Sequence, residues 1–220
     1  MKIGVPSEIK AQESRVGLTP SSVQELTNHG HEVLVQDNAG FGAGFENEDY
    51  QKAGAHIAST AGDVFNDSDM IVKVKEPQSE EVSMLRENQL LFTYLHLSAA
   101  PELTKGLVDS KSICIAYETV TDENNRLPLL APMSAVAGRM SIQAGAHSLE
   151  KPQGGRGLLI GGAPGVNPGN VLILGGGVVG ENAATIATGM EARVNIVDKS
   201  EARLKELQMK FGDRIIPLVS

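Results

Sequence analysis

The strongest chemical pattern in the chain lies in residues 170–198, where a glycine-rich turn separates an apolar run from a helix pattern of small residues. Gly175, Gly177 and Gly180 fill a G-x-G-x-x-G frame directly after the apolar run Val171–Leu174, which is typical of a strand buried on both faces. In such a frame the glycines permit a tight turn, close approach of a pyrophosphate and close packing of the helix. The pattern predicts a dinucleotide-binding βαβ unit, with an ordinary glycine turn as the alternative.

A carboxylate stands where the ribose of a dinucleotide is expected. Arg193–Val197 is a second strand pattern, and Asp198 follows it, 23 residues after Gly175. An acid near this spacing accepts hydrogen bonds from the ribose 2′-OH and repels a 2′-phosphate. The sequence therefore favours NAD over NADP, although Lys199 directly after Asp198 keeps NADP open as an alternative.

Ionisable residues are predicted at several strand ends in the first part of the chain. The strand patterns Met70–Lys75, Leu90–His96 and Ser112–Glu118 each end on such a residue, and Arg15 lies in the loop after the first strand. Ligands of open parallel sheets bind beyond the carboxyl ends of the strands. These four side chains are therefore expected at one edge of one sheet.

The residue types at this edge suit an acid substrate. Arginine can bind a carboxylate through two parallel hydrogen bonds, lysine can polarise a carbonyl oxygen, and histidine can exchange a proton near neutral pH. Taken singly, Arg15 and Lys75 are more typical of solvated residues, and Glu118 of a cap or an ion pair. For His96 the structural and functional interpretations are balanced. The joint placement favours a substrate site.

Composition limits the class of protein. The chain has 220 residues, a net charge of −8 and 41% apolar residues, which fits one or two packed domains. Cys114 is the single cysteine, so no internal disulfide can form. There is no bilayer-length apolar run, signal-peptide pattern, basic cluster or metal-ligand spacing. We therefore expect a cytoplasmic protein that binds no nucleic acid, membrane or metal.

Alternating strand and helix patterns predict an α/β fold of two Rossmann-like lobes with mostly parallel sheets. Residues 1–130 form the predicted substrate and catalytic lobe, and residues 131–220 the NAD-binding lobe, which begins with a long helix over Ala131–Glu150. Only three strands follow residue 170, so the second lobe is expected to be half of a doubly wound domain. Further predicted strands are Lys2–Val5, His31–Gln36, Ile57–Ala58 and Arg214–Val219. Further predicted helices are Pro20 to Gly30, Glu46–Ala53, Ser79–Glu87, Pro101–Asp109 and Ser200–Phe211.

Several motifs together resemble the alanine dehydrogenase family along the whole chain: MKIGVPSEIKAQESRVGLTP, KVKEP, FTYLHL, AYET, LAPMSAVAGRMS and ILGGGVVG. The NAD-binding subunit of proton-translocating transhydrogenase is similar in the same regions, but it would exchange hydride without an amino-acid substrate. The joint presence of Arg15, Lys75 and His96 favours the dehydrogenase. The resemblance implies reversible oxidative deamination of L-alanine with NAD and water, giving pyruvate, ammonium and NADH, in a homo-oligomer that is commonly a hexamer.

The resemblance also implies roles for single residues. Arg15 and Lys75 would bind the carboxylate and carbonyl of the substrate, and His96 would donate and accept the proton. Met133 would lie beside the substrate. Implied cofactor contacts, besides the glycines, are Ser134, Val178, Val179, Asp198, Arg203 and Ser220.

Members of this family are longer than the chain. Their further part carries a catalytic aspartate and the rest of the nicotinamide site. The resemblance therefore implies that the chain lacks the C-terminal part of the family and is inactive or weakly active alone. The alternative hypothesis is a non-catalytic NAD-binding module.

Overall fold

The computed structural model describes every residue from Met1 to Ser220 and divides the chain into two compact units, Met1–Leu127 and Pro128–Ser220. The strands of the first unit are β1 (Lys2–Val5), β2 (Glu32–Gln36), β3 (His56–Ala58), β4 (Met70–Val72), β5 (Leu90–Thr93) and β6 (Ile113–Ala116). Its helices are α1 (Pro20–Asn28), α2 (Asn47–Lys52), α3 (Ala61–Asp67), α4 (Ser79–Val82) and α5 (Pro101–Ser110). All neighbouring strands pair in parallel, in the order β3-β2-β1-β4-β5-β6.

Helices cover both faces of this sheet. Ile71 and Val72 are neighbours on β4, yet they belong to different buried clusters, because successive strand side chains point to opposite faces. One cluster contains Val23 of α1 and Tyr50 of α2, and the other contains Phe65 of α3. The strand order reverses between β1 and β4, and this is the switch point at which α/β sheets bind ligands.

The sequence patterns missed one helix of this unit, α3. Thr60 begins the helix, with a hydroxyl that accepts a hydrogen bond from the Asp63 N–H at 3.1 Å. The Asp63 carboxylate accepts the Thr60 N–H at 3.1 Å in return. This is a capping box closed by aspartate instead of glutamate, which is why the usual spacing signal was weak.

Several elements end earlier than predicted, among them three strands and the helix α4. β4 stops at Val72 and not at Lys75, β5 at Thr93 and not at His96, and β6 at Ala116 and not at Glu118. α4 ends at Val82, although the pattern extended to Glu87. Backbone hydrogen bonds between the two segments continue a short way past β4 and β5, from the Lys73 N–H to the Phe92 carbonyl oxygen and from the Tyr94 N–H to the Val74 carbonyl oxygen. Side-chain carboxylates from other segments accept the N–H groups of Val74, Leu95 and His96.

The second unit holds a smaller parallel sheet. Its elements are α6 (Ala131–Ser148), β7 (Asn170–Leu174), α7 (Val178–Gly189), β8 (Arg193–Asp198), α8 (Glu201–Phe211) and β9 (Ile215–Val219). The strand order is β7-β8-β9, and the core contains side chains from α6, α7, α8 and all three strands. The predicted α/β class with Rossmann-like parallel sheets is therefore confirmed.

The expectation that β7 is buried on both faces is wrong. Leu172 and Leu174 are 61% and 77% exposed, whereas Ile173 between them is buried. Ile173 shares the core with side chains of α7 and α8, so helices cover one face of β7 and leave the other face accessible.

No helix of the chain combines the length and apolar character that a membrane crossing requires.

Candidate functional site

The glycine turn joins β7 to α7 as tightly as the frame predicts. Gly175 has a φ of +98°, a conformation that residues with a side chain rarely adopt. Gly180 lies in the first turn of α7, and a Cβ there would stand 1.9 Å from the carbonyl oxygen of Gly175. Both positions therefore require glycine for the turn itself.

The glycine at position 177 is not explained by the geometry of the turn. It caps α7 with a φ of −66°, and a Cβ there would meet no protein atom within 4 Å. Internal packing therefore does not require a glycine at this position. The N–H groups of the first turn, which includes the half-exposed Val178 and Val179, have no partner in the helix ladder. Open space before a helix N-terminus suits the approach of a phosphate.

Asp198 lies at the end of β8, beside this turn. One carboxylate oxygen accepts the Gly176 N–H at 2.6 Å, and the other accepts the Ser200 N–H at 2.8 Å. These backbone hydrogen bonds lower the pKa of Asp198, and the one from Ser200 has the largest effect. The carboxylate is thus ionised at neutral pH, and its remaining lone pairs can accept a ribose hydroxyl.

Arg203 and Ser220 are brought to the same place. Arg203 lies in the first turn of α8, and its Nε donates to the carbonyl oxygen of Gly176 at 2.7 Å. The backbone N–H of Ser220 donates to the carbonyl oxygen of Asp198 at 3.2 Å. The glycine turn, Asp198, Arg203 and Ser220 therefore cluster at the carboxyl ends of the three strands.

Met133 and Ser134 lie in the first turn of α6, not at a strand end. Further along this helix, a Cβ on Gly138 would stand 2.2 Å from the carbonyl oxygen of Val179, so α6 and the first turn of α7 are in backbone contact. Ser134 precedes Gly138 by four residues, about 6 Å along the helix axis. Ser134 therefore lies about one helical turn from the contact between α6 and α7, and its contact with the cofactor stays a prediction.

Arg15, in the loop after β1, is paired with a carboxylate that the sequence analysis missed. Its Nε and one terminal nitrogen donate to the two oxygens of Glu13 at 2.8 and 2.6 Å. This hydrogen bond from Arg15 is the main reason that the pKa of Glu13 falls to about 2, and the Lys75 charge lowers it further. Arg15 and Lys75 therefore act on one carboxylate, although β1 and β4 deliver them separately.

Lys75 lies three residues beyond β4, in a segment that Glu8 holds in place. The Glu8 carboxylate accepts the Val74 N–H at 2.6 Å, with longer contacts of 3.4 Å to the N–H of Lys75. The carbonyl oxygen of Lys75 accepts the hydroxyl of buried Thr93 at 2.8 Å. The backbone of Lys75 is therefore fixed from the loop after β1 and from β5.

A buried ion cluster lies directly beneath this segment. The Nζ of Lys73 is 3.1 Å from a Glu8 oxygen and 2.7 Å from a Glu81 oxygen, and all three side chains are at most 2% exposed. Burial raises the pKa of Glu81, and the Lys73 charge partly opposes that shift. The signal for this cluster was present in the sequence, because Lys73 interrupts the apolar pattern of Met70–Val74.

His96 lies just past β5 in a left-handed conformation, with a φ of 51°. The Glu118 carboxylate accepts the His96 N–H at 2.6 Å and the Leu95 N–H at 3.1 Å. Burial alone would raise the pKa of Glu118, but these hydrogen bonds lower it below its usual value. Glu118 thus acts as the backbone cap that the sequence analysis kept as an alternative.

Tyr94 joins the groups at this edge. Its ring centroid is 6.0 Å from that of His96, and its ring meets Tyr117 edge-on at 4.9 Å. Burial raises the pKa of Tyr94, and the charge of Arg15 opposes that shift. The structure therefore brings Arg15, Lys75 and His96 to one edge of the sheet, where Tyr94 lies near Arg15 and His96 and Lys75 acts on the carboxylate that pairs with Arg15. These parallel sheets and sites define a Rossmann-like α/β protein.

Comparison with known proteins identifies the family. The family models for the N-terminal and C-terminal domains of alanine dehydrogenase/PNT match residues 4–137 and 141–220. The chain belongs to the alanine dehydrogenase/PNT family.

Individual relatives agree with this assignment. The chain is 56% identical to an alanine dehydrogenase of Halomonas elongata over 98% of its own length and 58% of that protein. It is 52% identical to one of Methanococcus maripaludis over its full length and 59% of that protein. It spans less than two thirds of each of these relatives.

Solved structures give the same fold. The chain superposes on an L-alanine dehydrogenase with a TM-score of 0.92 at 54% identity, covering all of the chain and 61% of that structure. A transhydrogenase from Sinorhizobium meliloti has a TM-score of 0.81 at 22% identity, and the chain covers 62% of that structure, which shows the shared fold alone.

Proposed function

We propose that this chain carries the substrate-binding groups and the adenosine half of the cofactor site of an NAD-dependent L-alanine dehydrogenase. The observation that carries the proposal is the meeting of Arg15, Lys75 and His96 at the carboxyl edge of one parallel sheet. Arg15 and Lys75 lie on the two sides of the switch point between β1 and β4. The names of the close relatives support the same reaction.

The reaction would convert L-alanine, NAD and water to pyruvate, ammonium, NADH and a proton. Arg15, kept charged beside Glu13, would hold the substrate carboxylate in two parallel hydrogen bonds. Lys75 would stabilise negative charge on the substrate oxygen. His96 would accept the proton of the attacking water and return it in the reverse direction.

The residues of the second unit fit NAD. The open space at Gly177 admits a pyrophosphate, the N-terminus of α7 attracts its charge, and ionised Asp198 can accept the ribose hydroxyl. Ser134, Arg203 and Ser220 would add contacts to the cofactor. Bound NAD would supply the acceptor for the hydride. Homo-hexamer formation and a place for Met133 beside the substrate stay predictions.

Calorimetric titration of NAD into matched variants tests the cofactor site. Gly177→Ala and Gly189→Ala both add a methyl group at an end of α7 where no protein atom lies within 4 Å. Only Gly177 lies at the predicted pyrophosphate. We expect both variants to melt close to the unchanged chain, Gly177→Ala to lose NAD binding and Gly189→Ala to retain it. Equal affinity in the two variants would contradict a dinucleotide site at this turn.

Titration with pyruvate, followed by NMR, tests the substrate site separately. We expect Arg15→Gln to weaken pyruvate binding by about tenfold or more, because a charged hydrogen-bond pair contributes about 1.5–3 kcal/mol. Arg126→Gln removes the same charge from an exposed loop and is the control. NAD binding without any pyruvate binding would favour the alternative of a non-catalytic NAD-binding module.

A further inference from the structure

The arginine that a 2′-phosphate would need is present in the second unit, close to Asp198. Both side chains flank the same glycine. A Cβ on Gly176 would stand 3.2 Å from an Asp198 carboxylate oxygen and 3.5 Å from Cγ of Arg203. NADP sites place an arginine beside the 2′-phosphate. By position alone, Arg203 could therefore contact the 2′-phosphate of NADP.

Two further acids hold this guanidinium. One terminal nitrogen of Arg203 donates to Glu181 of α7, and the other donates to Glu206 of α8 at 2.8 Å. Its Nε is used by the carbonyl oxygen of Gly176. All three nitrogens of the side chain thus have acceptors within the protein, and two of the acceptors carry negative charge.

Glu181 also pairs with a second cation. It pairs with Lys210 of α8 as well as with Arg203, and its side chain is 24% exposed. The hydrogen bond from Lys210 is the main reason that the pKa of Glu181 is lowered, so this carboxylate is ionised at neutral pH. A phosphate approaching Arg203 would compete with two carboxylates that are already in contact with it.

We propose that Glu181 and Glu206 determine cofactor specificity by withholding Arg203 from a 2′-phosphate. Asp198 would bind the ribose hydroxyl, while these two acids stop Arg203 from offering NADP an alternative contact. This inference rests on the proposed NAD site. It adds that the choice of cofactor depends on three carboxylates from three elements, β8, α7 and α8, and not on Asp198 alone.

The test starts from Asp198→Ser, which removes the direct repulsion of a 2′-phosphate. Glu181→Gln and Glu206→Gln are then added to give a triple variant, and NAD and NADP are titrated calorimetrically. We expect the ratio of NADP affinity to NAD affinity to rise about tenfold or more over Asp198→Ser alone, because a charge-assisted contact becomes available. Adding salt should reduce the gain, since the new contact is ionic.

Two controls separate this effect from a change in net charge. Glu201→Gln on the Asp198→Ser background removes an acid from the same turn of α8 without altering the partners of Arg203, and it should leave the affinity ratio unchanged. Arg203→Met added to the triple variant should abolish the gain in NADP affinity, and the two dinucleotides are compared separately because Arg203 is also a proposed NAD contact. A thermal melt of each variant checks that it folds.

The outcomes separate the inference from the proposed function. If the variants with and without the two glutamine substitutions share one affinity ratio, the inference is overturned while the NAD site stands. A gain that survives Arg203→Met overturns it as well. If the unchanged chain and every variant bind neither dinucleotide, the proposed cofactor site itself is wrong, and the inference falls with it.

Discussion

Replacing Lys73 by methionine should destabilise the first unit strongly, because it removes the cation between two buried carboxylates. The Nζ lies 3.1 Å from Glu8 and 2.7 Å from Glu81, and neither carboxylate is more than 2% exposed. Methionine preserves much of the volume and none of the charge. Breaking a buried ion pair from one side costs about 3–5 kcal/mol, a large part of the roughly 5–15 kcal/mol that holds a typical protein folded.

The loss should depend on pH with a defined sign. Burial already raises the pKa of Glu81, and removing Lys73 removes the attraction that opposes this shift. The folded variant then binds more protons than the unfolded chain between the ordinary glutamate value of 4.5 and the raised pKa. Its stability therefore falls as pH rises through that window. The defect should be smaller at about pH 5 than at about pH 7.

Urea unfolding followed by tyrosine fluorescence measures this unit selectively. The chain has three tyrosines and no tryptophan, and Tyr50, Tyr94 and Tyr117 all lie in the first unit. Lys105→Met, at an exposed position on α5, is the matched control and should change stability by less than about 0.5 kcal/mol. Adding Glu81→Gln to Lys73→Met should recover part of the loss. If Lys73→Met is no worse than Lys105→Met, or equally destabilised at both pH values, the reasoning is refuted.

Three more predictions concern single contacts. Glu118→Gln should accelerate hydrogen exchange of the His96 backbone N–H and lower the free energy of unfolding by about 1–3 kcal/mol, because a charged acceptor of two backbone donors becomes neutral. Unchanged hydrogen exchange would exclude this capping role. Gly180→Ala should lower the melting temperature far more than Gly189→Ala does, since the Cβ at position 180 would stand 1.9 Å from a carbonyl oxygen and the one at position 189 would meet open space. Similar melting temperatures for the two variants would show that the turn can relax. Because the pKa of Glu13 is lowered, its pairing with Arg15 stabilises the fold above about pH 4.5, and this stabilisation is lost as pH falls toward 2. Glu13→Gln should therefore flatten the acid limb of a plot of stability against pH. An unaltered acid limb would contradict the pairing.

Local signals were sufficient where a structure is made by neighbours in the chain. The frame of Gly175, Gly177 and Gly180 predicted the turn, because its geometry depends on residues within one strand–helix connection. The helix predicted from Pro20 begins there for the same reason, and the hydroxyl of Thr19 before it accepts the Ser22 N–H at 3.3 Å. In both cases the partner atoms lie within a few residues.

The errors fall where a distant segment completes a local structure. β4 and β5 end earlier than predicted, and in the segments after them Glu8 accepts the Val74 N–H across 66 residues and Glu118 accepts the His96 N–H across 22 residues. The exposed Leu172 and Leu174 on β7 could not be distinguished from buried residues by their apolar character alone. Their environment depends on which face α7 and α8 cover.

The sequence by itself determined the chemical types available to this protein: a phosphate-compatible turn, an acid at the predicted ribose position, and an arginine, a lysine and a histidine at or near predicted strand ends. The tertiary structure alone decided which of them act together. The parallel order β3-β2-β1-β4-β5-β6 places the loops after β1 and β4 on the two sides of the switch point. There the charges of Arg15 and Lys75 both lower the pKa of Glu13. Electrostatic and hydrogen-bonding interactions act over a few ångströms in space, and spacing along a chain does not encode those distances.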